Sequence, residues 1–186
     1  MPVNPLFSEP FLAGVLLILG FLTFFPAGLL YTYRAIWNKP GAKNPVFLYW
    51  ERGLVIAAVV VVVLGWGLLE RMLEAASDTT LAPLGWTTML LSAVLVLVAE
   101  AYNLTKQDWL QALVVVHVVL AFLAQAVFGA ALLRTGLLPA WIGWATILWS
   151  LGLLVYLPIF KPRDMYFPWL HYIAPLMIGI GLLVRG

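Results

Sequence analysis

Hydrophobic positions along this chain fall into long runs with short polar interruptions between them. The runs are too long and too uniformly apolar for half-buried strands or one-sided surface helices. Six of them stand out, at approximately 11–33, 53–73, 84–103, 109–133, 140–160 and 167–184. A helix rising about 1.5 Å per residue needs about 20 residues to cross a hydrocarbon layer of about 30 Å, which is the length of each run. The second run contains Val59 to Val63, a β-branched stretch that would favour a strand in water. In lipid a lone strand leaves its backbone groups unpaired, so helix is expected there too. The pattern therefore predicts an all-α fold: one transmembrane domain over residues 1–186, an integral membrane bundle of six transmembrane helices with no soluble domain.

The polar interruptions set the expected orientation. Loops after the first, third and fifth runs hold Arg34, Lys39, Lys43, Arg52, Lys106, Lys161 and Arg163, against Arg71, Arg134 and Arg185 on the other side. That excess of basic residues predicts cytoplasmic loops on the first side and both termini outside. The first loop, NKPGAKNP, also carries the proline and glycine that should end a helix. No Lys or Arg precedes the first run, which therefore reads as a retained span rather than a signal core. Tyr31, Tyr33, Trp37, Tyr49, Trp50, Trp86, Trp109, Trp141, Trp144 and Tyr166 stand where interfacial anchors are expected. The turn from Lys161 into Tyr172 gathers charge, proline, aromatic and imidazole chemistry, and Lys161-Pro162 echoes Lys39-Pro40 in a faint parallel repeat.

The fourth and fifth runs are separated only by Arg134 to Pro139, so the helices must be antiparallel neighbours. Gly136 should end one and Pro139 open the next, while Gly129, Ala130 and Ala131 permit close helix approach. Arg134, Thr135, Leu137, Leu138, Pro139, Trp141 and Gly143 carry a resemblance centred on residues 129–150. In these residues the chain resembles an uncharacterised family of bacterial six-span integral membrane proteins. A basic residue often follows the proline in that family, where this chain has Ala140. The resemblance implies the six-span layout and a bacterial cytoplasmic (inner) membrane location, and no activity.

Composition narrows the function classes. With 64% hydrophobic and 10% charged residues and a net charge of +2, the chain has no basic cluster able to neutralise a row of phosphates, so no nucleic acid partner is expected. The absence of cysteine excludes disulfides, thiolate metal sites and cysteine nucleophiles. There is no phosphate-cradling glycine loop, HExxH, membrane aspartate pair, DxxD cluster or buried lysine, which disfavours the common metal-dependent and covalent enzyme classes.

An ionisable group at membrane depth costs about 2.5–3.5 kcal/mol on insertion scales and needs a reason. Glu100, His117 and His171 are the groups far enough inside to matter. On straight helices Glu100 and His171 lie roughly 5–8 Å deep and His117 about 13 Å deep. Tyr172, Asn103, Gln111 and the Glu51-Arg52 pair at the start of the second helix are expected at similar levels, together lining a cavity open to the cytoplasm. Glu100 is read either as an interfacial carboxylate pairing with Lys106 or Arg52, or as a proton carrier or ligand anchor. His117 is read as an imidazole hydrogen-bonded to a neighbouring helix, or as a haem or pigment ligand with His171 as the second. Pro175 should free the carbonyl of His171 and kink the last helix there, as Pro26 and Pro158 should bend theirs. Gln125, eight residues above His117, extends a polar line along nearly the same face.

Three functions follow as expectations. The leading one is non-enzymatic: an accessory subunit of a membrane complex, or a protein binding a hydrophobic ligand through His117, His171, Glu100, Tyr172, Asn103 and Arg52. The second is a cofactor-independent enzyme on a lipid-soluble substrate, with Glu100 and His171 as the catalytic proton carriers. The third is a b-type haem or pigment protein ligated by His117 and His171. The expected partners are membrane lipids, other membrane-complex subunits or further copies of the chain.

Overall fold

The computed structural model describes residues 8–33, 45–106, 110–160 and 168–185, all but a few of them helical. The helices are α1 (Glu9–Tyr31), α2 (Pro45–Ala75), α3 (Leu81–Lys106), α4 (Gln111–Thr135), α5 (Ala140–Phe160), α6 (Pro168–His171) and α7 (Ile173–Arg185). Five are long and apolar enough to cross a membrane, and Trp169–Arg185 forms a shorter apolar sixth unit. The chain is thus an all-helical bundle of membrane-protein character. Arg34, Lys39, Lys43, Lys161, Arg163, Trp37, Trp109 and Tyr166, and with them the loop repeat and much of the orientation argument, lie outside the described residues.

Two boundaries differ from the sequence expectation for physical reasons. The proline at position 45 opens α2 instead of closing the preceding loop, because a helix's first turn has no use for the N–H that proline lacks. Arg52 consequently stands about two turns inside α2 rather than at its start. The last span is broken at Tyr172 into α6 and α7, which separates the 4-residue α6 from the 13 residues that follow.

The other ends are set by local chemistry. Asp78 is fully buried and its Oδ1 accepts hydrogen bonds from the N–H groups of Thr80 (3.1 Å), Leu81 (2.7 Å) and Ala82 (3.4 Å). It thereby satisfies donors that the first turn of α3 leaves without helical partners. Gly136 ends α4 in the left-handed region at φ 64°, with its N–H on the Leu132 carbonyl, as the sequence predicts.

Helices pack as a ring in the order α7, α1, α2, α3, α4, α5, with extensive contact at each step and only a thin seam where α5 meets α7. Lipid tails are as apolar as leucine, so close backbone approach, not burial from water, has to hold the ring together. Glycines supply it twice. A side-chain carbon at Gly14 would stand 3.0 Å from the Gly179 carbonyl, and one at Gly179 would stand 2.9 Å from the Gly14 carbonyl. Gly129 of α4 and Gly143 of α5 have the same reciprocal relation, 2.9 Å each way. Inside the ring Trp66 stacks on Phe128 with centroids 4.5 Å apart, and Leu148, Val155 and Ile159 of α5 face outward with more than half of their surface exposed.

Aromatics dock the broken final unit. Trp169 meets Phe24 and Phe25 edge-on at 5.4 and 5.2 Å and lies over Gly28, where a side-chain carbon would sit 2.4 Å from its ring. Tyr172, at the break, stacks on Phe24 at 4.5 Å.

Candidate functional site

Two clusters of buried polar side chains contain the residues singled out in the sequence. In the first, Arg52 Nη1 donates to both carboxylate oxygens of Glu100 at 3.1 and 3.0 Å, and Nη2 lies 3.1 Å from Glu51 Oε1. Glu51, Arg52 and Glu100 are buried, and so is Asn103, three residues on from Glu100 along α3. Of the two cations that the sequence offers for Glu100, the structure selects Arg52. The pair joins α2 to α3, and because neither member has water to fall back on, each depends on the other being present.

In the second group the imidazoles meet. The rings of His117 in α4 and His171 in α6 are 5.2 Å apart, centre to centre, and inclined by 30°. The depth difference expected from straight helices does not keep them apart, because the last helix breaks one residue after His171. The His171 ring also stacks on Phe122 at 4.3 Å. Glu100 and His171 therefore have different principal partners, a guanidinium for one and aromatic rings for the other. Tyr172 lines a small cavity together with both imidazoles.

Ser92 of α3 orients His117. Its hydroxyl donates to the His117 carbonyl at 3.0 Å, and its oxygen lies 2.8 Å from His117 Nδ1. The backbone carbonyl of Ser92 lies 3.1 Å from the same nitrogen. A hydroxyl has one proton and a carbonyl has none, so the hydrogen of both Nδ1 contacts belongs to the imidazole. In the neutral ring the lone pair is then on Nε2.

Proline chemistry explains the neighbouring backbone. Pro175 has no N–H to offer the carbonyl of His171, and Gln125 Nε2 donates to that carbonyl at 2.9 Å. Trp149 Nε1 serves the carbonyl of Leu170 at 3.0 Å. Side chains of α4 and α5 thus replace hydrogen bonds at the break, as a membrane interior requires.

A cavity of about 40 Å³ lies among Met89, Ser92, His117, Gln125, His171 and Tyr172. It is too small for a porphyrin, since pockets for ligands of that class hold about 300–1,000 Å³. Rings 5.2 Å apart also leave no width for a macrocycle between them, so the haem and pigment expectation does not fit His117 and His171 as placed. Among the described residues no three His, Cys, Asp or Glu side chains gather where they could hold a metal ion.

A much larger space opens at the seam of the ring. Between α5 and α7 runs an apolar groove of about 800 Å³, lined by residues including Leu138, Trp141, Leu176, Met177 and Ile180. Among the described residues Arg185 is the one charged residue lining it, and its Nη1 donates to the Gly136 carbonyl at 3.2 Å. Sequence reasoning missed this groove and the orienting role of Ser92. The signal for Ser92 was a lone hydroxyl inside LLSAVLV, while a gap between helices 5 and 7 has no local signal at all. Compared with protein-family models, with curated proteins and with solved structures, the chain matches none.

Proposed function

We propose that this protein is a non-enzymatic, membrane-embedded binder of an amphiphile, whose apolar chain lies in the α5–α7 groove and whose anionic head group meets Arg185. The observation that carries this reading is the groove itself. Its 800 Å³ falls within the range of ligand sites, its walls are almost wholly apolar, and the single charge among its described lining residues is positive. A neutral chain loses nothing by leaving bulk lipid for such a wall. The guanidinium adds discrimination, because a phosphate or carboxylate head can form charge-assisted hydrogen bonds with it.

The distribution of Lys and Arg supports a six-span chain in a bacterial cytoplasmic membrane with both ends outside, so the Arg185 end of the groove opens toward the outer leaflet. The resemblance centred on residues 129–150 supports the same location. Accessory packing in a larger complex would use the same seam, with a partner helix in place of the lipid chain.

Native mass spectrometry of protein released from membranes without harsh detergent tests the reading. Wild-type protein is expected to carry one retained anionic amphiphile, Ile180→Trp to lose it by filling the groove, and Arg185→Gln to exchange it for neutral lipids. A wild-type protein that retains no amphiphile, or equal retention by Ile180→Trp, overturns the reading.

A further inference from the structure

The α5–α7 groove is bounded at both ends, and its length and charge narrow the amphiphile that fits it. Resting on the groove reading above, we propose that the ligand is a single-chain monocarboxylate whose straight hydrocarbon chain is about 14–16 carbons long.

Length is set by α7. The lining of the groove runs along that helix from Ile173 through Leu176, Met177 and Ile180 to Arg185. At a rise of about 1.5 Å per residue, Ile173 and Arg185 lie about 18 Å apart along the axis. A hydrogen bond crosses the seam at each end. At one, Arg185 Nη1 donates to the Gly136 carbonyl at 3.2 Å and joins α7 to the turn between α4 and α5. At the other, three residues before Ile173, Trp149 Nε1 donates to the Leu170 carbonyl at 3.0 Å and joins α5 to α6. The helix breaks there, with Tyr172 stacked on Phe24 of α1, so the α7 wall does not continue past Ile173. An extended chain advances about 1.2 Å per bond, since three backbone bonds span about 3.3–3.6 Å, and about 18 Å therefore holds about 15 bonds. Bulk lipid is as apolar as the groove wall, so retention depends on fit and not on escape from water. A shorter chain leaves part of the wall to bulk lipid. A longer one meets the α5–α6 junction at Trp149 and has to fold back or overpack.

Charge selects the head group. Among the described residues that line the groove, Arg185 carries the one charge, and it is exposed. One guanidinium neutralises a monoanion, whereas a phosphate monoester carries about −1.5 to −2 at neutral pH and keeps a surplus. With Nη1 on the Gly136 carbonyl, the Nε–Nη2 edge carries two parallel N–H groups, the arrangement that a carboxylate accepts in bidentate fashion. A second chain on the same head would stay in bulk lipid and gain nothing from the wall.

The test offers full-length wild-type protein in micelles an equimolar series of saturated straight-chain carboxylic acids of about 8 to 22 carbons, which brackets the groove's length. Native mass spectrometry reads which acid stays bound, normalised to its amount in the micelles. Expected is one acid per chain, with retention peaking at about 14–16 carbons and about tenfold lower at about 20, the misfit of an overlong chain. Hexadecyl phosphate and methyl hexadecanoate should be retained less than hexadecanoic acid. Arg185→Gln should lower retention at every length without moving the peak. Trp149→Leu opens the far end and should move the peak to longer chains, with thermal unfolding to show that the variant is folded; should it not fold, the wild-type profile decides alone. A flat length profile in the wild type, a preference for the phosphate, or an unmoved peak in folded Trp149→Leu overturns the proposal and leaves the groove reading standing. A wild type that keeps no acid of any length, yet retains another anionic amphiphile from its membrane, overturns this proposal alone. One that retains no amphiphile at all overturns both.

Discussion

Gln125 donates its side-chain N–H to the carbonyl of His171, at 2.9 Å, and that carbonyl is the one Pro175 cannot serve. A helix break inside a membrane is tolerable only when something else meets the freed backbone group. Gln125→Leu should therefore destabilise the bundle by about 1–3 kcal/mol, the usual cost of stranding a buried polar group. Pro175→Ala returns an N–H to the helix and should shrink that penalty. A double-mutant cycle on unfolding in mixed micelles checks this, with a coupling of about 0.5–3 kcal/mol expected and additivity counting against the account.

The Arg52–Glu100 pair leads to an asymmetric expectation. Removing one member of a buried pair leaves a charge with no water to take it, at a cost of about 3–5 kcal/mol, whereas removing both can be nearly neutral. Arg52→Met should be the more damaging single change, because the guanidinium serves Glu51 as well as Glu100. Glu100→Gln should cost less, since the amide can still accept from Arg52. Expression level and thermal midpoint of the variants, with Arg52→Met/Glu100→Met for comparison, measure the order directly.

Much of this was legible in the sequence where one helix decides the matter. The run from Ala140 to Phe160 keeps its expected bounds, Gly136 takes the left-handed turn, and the carbonyl of His171 is freed by Pro175 as its spacing implies. What lay beyond reach depended on register between helices. Whether Glu100 would find Lys106 or Arg52 turns on how α3 slides against α2. The depth difference expected between His117 and His171 assumed straight, parallel helices, and it failed because the break at Tyr172 lets the short α6 pack independently. Asp78 carries no local signal that tells a loop acid from a helix cap, and only the fold shows it buried at the start of α3.

Trp169 lies over Gly28, and the absence of a side chain there is what lets α6 reach α1. Gly28→Val would put carbon where the indole already is, 2.4 Å from its nearest ring atoms, and overpacking of that kind costs about 1–3 kcal/mol. The expected result is a lower thermal midpoint together with a red-shifted tryptophan emission. An unchanged emission and midpoint would mean that the docking of α6 contributes little to the bundle.

The final prediction separates glycines that hold helices together from glycines that only loosen one. Gly129 and Gly143 face each other across α4 and α5 so closely that a methyl group on either would press on the other's carbonyl at 2.9 Å. Neither the carbonyl nor the backbone behind it can give way as a side chain would. Gly143→Ala should therefore push α5 from α4 and destabilise the fold, with Gly143→Leu worse. Gly152 lies on the same helix with nothing within 4 Å of where its methyl would stand. Gly152→Ala should remove only backbone entropy from the unfolded chain and stabilise by about 0.4–1 kcal/mol. Unfolding midpoints of the two alanine variants, measured side by side, should move in opposite directions. Movement in the same direction would mean that helix propensity, not close packing, governs α5.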